Sequence, residues 1–220
     1  MRNEEELHHQ PADYASPPGF MPALVSGFGE PPSMPECRAN ILRWHKVERR
    51  RLLDARLAIG AEARKAKSDR IAARLDQAIG KVSGRIISCY WPIRGEPDLR
   101  NWATSIIARG GRIALPVVIK KGWPLEFRIW SPGDRLDRGI WNTIVPAGGP
   151  AVQPNVVVAP IIGFDEENYR LSYAGSVFDK TLAAMKTRPI VIGVGFAESR
   201  IPTIHPLPHN IPMDIIITEE

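Results

Sequence analysis

The segment Val156-Val157-Val158-Ala159-Pro160-Ile161-Ile162 is an unbroken apolar run. A strand with one face in water alternates apolar and polar residues. A run with no polar position therefore suits a strand covered on both faces, as in a parallel sheet. Residues 190–196 repeat the signal, and Ile215-Ile216-Ile217-Thr218 supplies another strand. Earlier strands are expected at 85–91, 112–118 and 125–130. Helices are expected at 40–59, where Leu53 and Leu57 share a face and Gly60 follows, and at 62–79. In the second helix Ile71, Leu75 and Ile79 form an apolar stripe that stops at Gly80. Further helices are expected at 97–109, ended by Gly110-Gly111, and at 176–186. The Gly- and Pro-rich residues 131–154 read as loop over the sheet edge. Strands alternating with helices predict an α/β protein, a three-layer α/β/α domain with a mostly parallel central sheet.

Length sets the number of such domains. The 220 residues suit one core, expected over 38–220. Residues 1–36 hold six acids, one base and seven prolines, so 1–37 is expected to be a flexible acidic arm. The acidic start Met1-Arg2-Asn3-Glu4-Glu5-Glu6 does not read as a targeting peptide. No apolar run is long enough to span a bilayer, so a cytoplasmic protein is expected, without membrane partners. Cys37 and Cys89 make no disulfide framework. The net charge of +5 favours anionic ligands without choosing among phosphates, folates and nucleic acids. From residue 38 to 74, twelve Lys and Arg stand against four acids. That excess reads either as a solvated helical face or as cations for a polyphosphate or carboxylate.

Open parallel sheets bind ligands beyond the carboxyl ends of their strands. Three segments fall there: residues 91–98, 164–180 and 197–214. In the last, His205 and His209 are separated by Pro206 and Pro208, which precludes a shared metal on one helical face. No Gly-x-Ser-x-Gly elbow occurs, and neither cysteine has an activating context, so nucleophilic catalysis is not indicated. Residues 172–176 are mostly small and precede a helix. They read either as a plain strand-to-helix turn or as a phosphate cradle. Arg170 and Lys180 would add charge to such a cradle, and Asp179 could hold a magnesium ion. Glu96, near Tyr90 and Trp91, is either a solvated acid or the partner of a flat heterocycle.

Together these segments resemble the 5-formyltetrahydrofolate cyclo-ligase (methenyltetrahydrofolate synthetase) family, over about 40–220. The resemblance is carried in order by Lys46-x-x-x-Arg50 with Arg56, by Trp91 and Glu96, by Ala159-Pro160, by Gly163-Phe164-Asp165, by Tyr169-Arg170-Leu171, by Pro208-His209-Asn210-Ile211-Pro212-Met213-Asp214, and by Ile217-Thr218-Glu219. It implies a fold of the NagB/RpiA/CoA-transferase-like type and an ATP-dependent ring closure. The formyl oxygen of 5-formyltetrahydrofolate would be phosphorylated. A neighbouring nitrogen would then displace phosphate to give 5,10-methenyltetrahydrofolate. Carried over by the resemblance, ATP would meet Lys46, Arg50, Arg170, Ser172, Tyr173, Ala174, Gly175, Ser176 and Asp179. The reduced folate would meet Arg50, Trp91, Glu96 and Tyr173. Phe178 and Asp179 would stand at the reacting groups, and Asp179 and Asn210 would hold Mg2+. A monomer or weak homodimer is expected, and no nucleic-acid motif is present.

The chain departs from that family in its nucleotide loop. Ser172, Ala174 and Ser176 stand where the family has glycine, Phe178 where it has tyrosine, Lys180 where it has arginine, and Asn210 where it has aspartate. A Cβ disfavours positive φ and close backbone approach to phosphate. Lysine lacks the bidentate fork of arginine. These changes leave an alternative open: a diverged paralogue that binds folate or nucleotide with little or no turnover.

Overall fold

The computed structural model describes residues 34–173 and 177–220, so the arm expected before Met34 lies outside the described residues. The chain opens with two helices, α1 (Met34–Ala58) and α2 (Ala61–Ile79), then β1 (Ile86–Ser88) and α3 (Arg100–Ala108). Next come β2 (Arg112–Val117), β3 (Glu126–Trp130), β4 (Leu136–Arg138), β5 (Ile144–Pro146) and β6 (Ala151–Val152). The remainder is β7 (Val156–Pro160), β8 (Gly163–Phe164), β9 (Arg170–Leu171), α4 (Val177–Ala184), β10 (Ile190–Val194) and β11 (Ile215–Ile217).

Seven strands form the central sheet in the order β11-β10-β7-β1-β2-β3-β6. The first five are parallel, and β3 and β6 complete one edge antiparallel. The apolar run at 156 becomes β7, flanked by β1 and β10. Alternate residues of each strand supply opposite cores. Ile87, Ile113, Val156, Val158 and Ile192 pack with Ile71 and Leu75 of α2 and Ile106 of α3. Ala114, Val157 and Val191 pack with Leu182 of α4 on the other face. Helices thus cover both faces of a mostly parallel sheet, and the predicted α/β class holds.

Helix α2 buries the expected Ile71, Leu75 and Ile79, worth roughly 1.5–3 kcal/mol each. It stops at Gly80, whose φ of 66° is cheap only for glycine. Helix α1 differs from expectation at both ends. It begins at Met34, so residues 34–37 are helical rather than part of the arm. Pro35 is compatible with a first turn, where its missing N–H goes unused. Further along, Leu53 is buried but Leu57 is half exposed. The inward face runs through His45, Leu52, Leu53 and Arg56, at spacings that follow the 3.6-residue turn.

That face packs on a small satellite core of Ile162, Leu171, Ile201 and Ile204. The core is built around the two-stranded ribbon β8–β9, which the sequence pattern did not reveal. Residues 131–154 do cover the sheet edge, but not as plain loop. β4 and β5 form an antiparallel ribbon, and β6 adds to β3.

Close approach between α1 and β8 requires glycine at 163. An added Cβ there would lie 2.5 Å from Leu52 Cδ1 and 3.3 Å from the Ser199 carbonyl oxygen. Gly163→Ala is therefore expected to destabilise the fold by about 1–3 kcal/mol in urea melts. Adding Leu52→Val should recover part of that loss, and strict additivity of the two changes would refute the contact.

Candidate functional site

Beyond the carboxyl ends of β1, β2 and β7 lies a cleft of about 200 Å³. Its walls include Trp91, Glu96, Trp141, Tyr173 and Phe178, and Ser88, Pro116, Val158 and Pro160 also line it. Two of the three expected segments, 91–98 and 164–180, contribute to it. Residues 197–214 do not line it.

The first wall is a tight turn. Arg94 and Gly95 both have positive φ, 47° and 75°. The Glu96 N–H donates to the Ile93 carbonyl at 3.0 Å, and the Ile93 N–H donates to Glu96 Oε2 at 2.9 Å. Glu96 is buried. Burial pushes its carboxyl up to about 7, against the opposing pull of Ile93 N–H and the Arg56 cation. Arg56 underpins this turn. Its Nε donates to the Arg94 carbonyl at 3.1 Å and its Nη1 to the Ile161 carbonyl at 3.2 Å. Trp91 stands edge-on to Trp130 at 5.8 Å, with the Arg100 guanidinium over its ring.

The second wall comes from the β8–β9 ribbon. Buried Asp165 shapes it by accepting from the Tyr169 N–H at 2.9 Å and the Ile204 N–H at 3.0 Å. The ribbon delivers Arg170 to the cleft. Arg170 is almost wholly buried, lies 3.6 Å from Asp179 Oδ1 and stacks on the Phe178 ring at 4.9 Å. Its Nε and Nη2 have no hydrogen-bond partner. Burial lowers its pKa below the usual arginine value, and Asp179 opposes that shift. Arg49 Nε donates to the Ser172 carbonyl at 2.9 Å. Across the cleft, the Arg94 guanidinium lies over the Tyr173 ring at 4.5 Å.

Several sequence-predicted residues thus meet: Trp91, Glu96, Arg170, Ser172, Tyr173 and Phe178 line one cleft. Ala174, Gly175 and Ser176 lie outside the described residues. Lys46 and Arg50 do not join the others. Both are exposed, and Arg50 is paired with Asp54 at 2.8 Å. The reason is helical register: His45 and Arg49 occupy the same i, i+4 spacing one residue earlier, on the inward side. His45 is buried with Nε2 2.5 Å from the Ile204 carbonyl oxygen.

Asp179 and Asn210 are not offered as a pair of magnesium ligands. Asp179 Oδ1 accepts from the Ile211 N–H at 3.1 Å and faces Arg170, which already neutralises it. Asn210 Oδ1 accepts from the Leu207 N–H at 2.8 Å. Among the described residues no group of three or more His, Cys, Asp or Glu could hold a metal ion. Cys89 is buried, and burial pushes its thiol up to about 12, so it is no nucleophile at neutral pH. No described helix is long and apolar enough to cross a membrane.

Sequence reasoning missed Ser88, Trp141 and Thr143 as lining residues. Trp141 reaches the cleft from a turn where it and Asn142 have φ of 61° and 60°. Asn142 is of a type that tolerates positive φ, but Trp141 is not, so the sequence carries only a weak sign of this turn.

The model of the 5-formyltetrahydrofolate cyclo-ligase family matches residues 41–219. A 5-formyltetrahydrofolate cyclo-ligase of Mycolicibacterium smegmatis is 25% identical over 147 residues, 63% of this chain and 75% of its own. The NMR structure of Aquifex aeolicus 5,10-methenyltetrahydrofolate synthetase superposes with a TM-score of 0.69 at 24% identity, over 80% of this chain and 90% of that one. The 5,10-methenyltetrahydrofolate synthetase of Mycoplasma pneumoniae gives 0.66 at 19% identity, over 80% and 99%. At these identities the two structures speak for the fold.

The raised pKa of Glu96 has a definite sign in stability. Between its unfolded value near 4.5 and about 7, the folded chain holds a proton that the unfolded chain has released. Stability therefore falls as pH rises through that window, by on the order of 3 kcal/mol from this group. Glu96→Gln is expected to flatten that part of the stability–pH curve in urea melts at pH 4.5, 6 and 8. An unchanged slope would show that Glu96 is not the group responsible.

Proposed function

Because this chain belongs to the 5-formyltetrahydrofolate cyclo-ligase family, we propose that it converts 5-formyltetrahydrofolate to 5,10-methenyltetrahydrofolate, with ATP giving ADP and phosphate. The observation that carries the reading is the buried Glu96 carboxyl within a cleft walled by Trp91, Tyr173 and Phe178. A flat reduced pterin would stack on such rings, and a carboxyl at its edge would pair with ring N–H groups. With a pKa of about 7, Glu96 can offer an acceptor or a proton near neutral pH.

The chemistry then needs positioning and charge neutralisation more than acid–base groups. The formyl oxygen takes the terminal phosphoryl group of ATP, and ADP leaves. The neighbouring nitrogen attacks the formyl carbon and loses its proton to the departing phosphate or to solvent, and phosphate leaves with the former formyl oxygen. Arg170, whose Nε and Nη2 make no hydrogen bond although Nη2 is ion-paired with Asp179, is suited to the charge that develops on the transferred phosphoryl group. Arg49 secures the start of the nucleotide loop through the Ser172 carbonyl. Asp179 acts on Arg170, holding a cation that burial disfavours. The residues expected to bind magnesium do not fit that role, so none of these steps is assigned to it.

A second reading has its own observation. The exposed placement of Lys46 and Arg50 leaves His45 and Arg49 as the inward pair of α1, one permanent cation fewer than a lysine–arginine pair. A paralogue that binds a reduced folate without efficient turnover would look this way.

The test is turnover. Purified protein with ATP, magnesium and 5-formyltetrahydrofolate is expected to accumulate the methenyl product, followed by its ultraviolet absorbance. The triple variant S172G/A174G/S176G is expected to turn over faster than the parent. No product under conditions where an established cyclo-ligase works, with calorimetric binding of 5-formyltetrahydrofolate retained, selects the second reading. Loss of both binding and turnover removes both.

A further inference from the structure

Five buried side-chain nitrogen or oxygen atoms among the described residues lack a hydrogen-bond partner, and three of them belong to residues lining the cleft: Arg170 Nε, Arg170 Nη2 and Ser88 Oγ. Arg170 has been placed above. The Ser88 hydroxyl makes no hydrogen bond within the fold. It is the last residue of β1, the strand flanked by β2 and β7, and only 1% of it is exposed. Its register partners are Ala114 and Val157, both apolar and fully buried. A buried hydroxyl set among such neighbours without a partner costs stability. An alanine or valine at 88 would suit the sheet better than serine does. The group stands at the carboxyl end of its strand, where open α/β sheets bind ligands.

We propose that Ser88 is a specificity-determining residue whose hydroxyl hydrogen-bonds the edge of the bound reduced pterin from the floor of the cleft. The inference rests on the folate reading above and adds to it a contact from the sheet itself. Glu96 and the aromatic rings come from the walls, whereas Ser88 sits on a strand paired on both sides within the central sheet. A hydroxyl both donates and accepts, so it matches the mixed N–H and C=O edge of a pterin. A site built to pair with a polar edge discriminates strongly, because a ligand lacking that edge leaves the buried group unsatisfied.

The test compares full-length wild type with Ser88→Ala and Ser88→Cys, each by thermal melt and by calorimetric titration with 5-formyltetrahydrofolate and, separately, ATP. Without ligand, Ser88→Ala is expected to melt at the same temperature as wild type or higher, because it removes an unpaired hydroxyl. Its Kd for 5-formyltetrahydrofolate is expected to rise about tenfold while that for ATP stays unchanged. Ser88→Cys fills the space, being slightly larger than serine, but offers a far weaker hydrogen bond, so it should bind the folate as poorly as Ser88→Ala. Wild-type affinity in Ser88→Ala would overturn the proposal and leave the folate reading standing. Wild-type affinity in Ser88→Cys with a loss in Ser88→Ala would reduce the effect to volume and overturn it as well. Failure of the wild type itself to bind 5-formyltetrahydrofolate would overturn both the proposal and the reading beneath it.

Discussion

The guanidinium of Arg56 holds together three separate parts of the chain. It projects from α1, donates to the backbone of the turn that carries Glu96, and donates again at Ile161, just beyond β7. Burying a cation costs several kcal/mol unless its hydrogen bonds are replaced. Two carbonyls and the nearby Glu96 carboxyl offset that cost, and Glu96 gains in return a cation that opposes the effect of its own burial. The helix, the acid-bearing turn and the sheet end are therefore set by one side chain. Loss of Arg56 would loosen the cleft wall and the packing of α1 at once.

The acids of the family-like motifs divide between scaffold and site. Asp165 ties the β8–β9 turn to residue 204 through two backbone N–H groups. Glu219 is buried, pairs with Lys67 of α2 and accepts from the Ala197 N–H. Asp179 is engaged by Arg170 and the Ile211 N–H. Each satisfies backbone or cationic groups that would otherwise be stranded. Glu96 alone among them lines the cleft. Motif resemblance by itself does not separate the two kinds of acid, whereas hydrogen-bond partners do.

The sheet was legible because its strands are apolar on both faces, and α2 because Ile71, Leu75 and Ile79 repeat at four-residue spacing. The cleft was legible in Trp91, Glu96, Arg170 and Tyr173, which lie in the segments that follow the expected strands at 85–91 and 156–162. The register of α1 was not. Arg49, Arg50 and Arg51 are consecutive, so charge alone cannot say which faces inward. Burial of Leu52 and Arg56 decides it for Arg49. The β8–β9 ribbon has only two residues per strand, too few for any alternation to show, and it depends on Asp165 rather than on propensity. The Trp141 turn escaped for a different reason: a tryptophan at positive φ is not to be expected, and the single asparagine beside it is too weak a turn signal.

The Arg94–Tyr173 stack spans the mouth between the two walls, while Ser88 and the strand ends form the floor. A cation–π contact at an exposed site is worth about 0.5–1 kcal/mol. At that strength roughly a sixth to a third of molecules have the contact broken at any instant. Separating these two side chains breaks no backbone hydrogen bond of the sheet. Opening of this contact takes only side-chain rotation, a process of picoseconds to nanoseconds for exposed groups, and leaves the strand ends beneath it where they are.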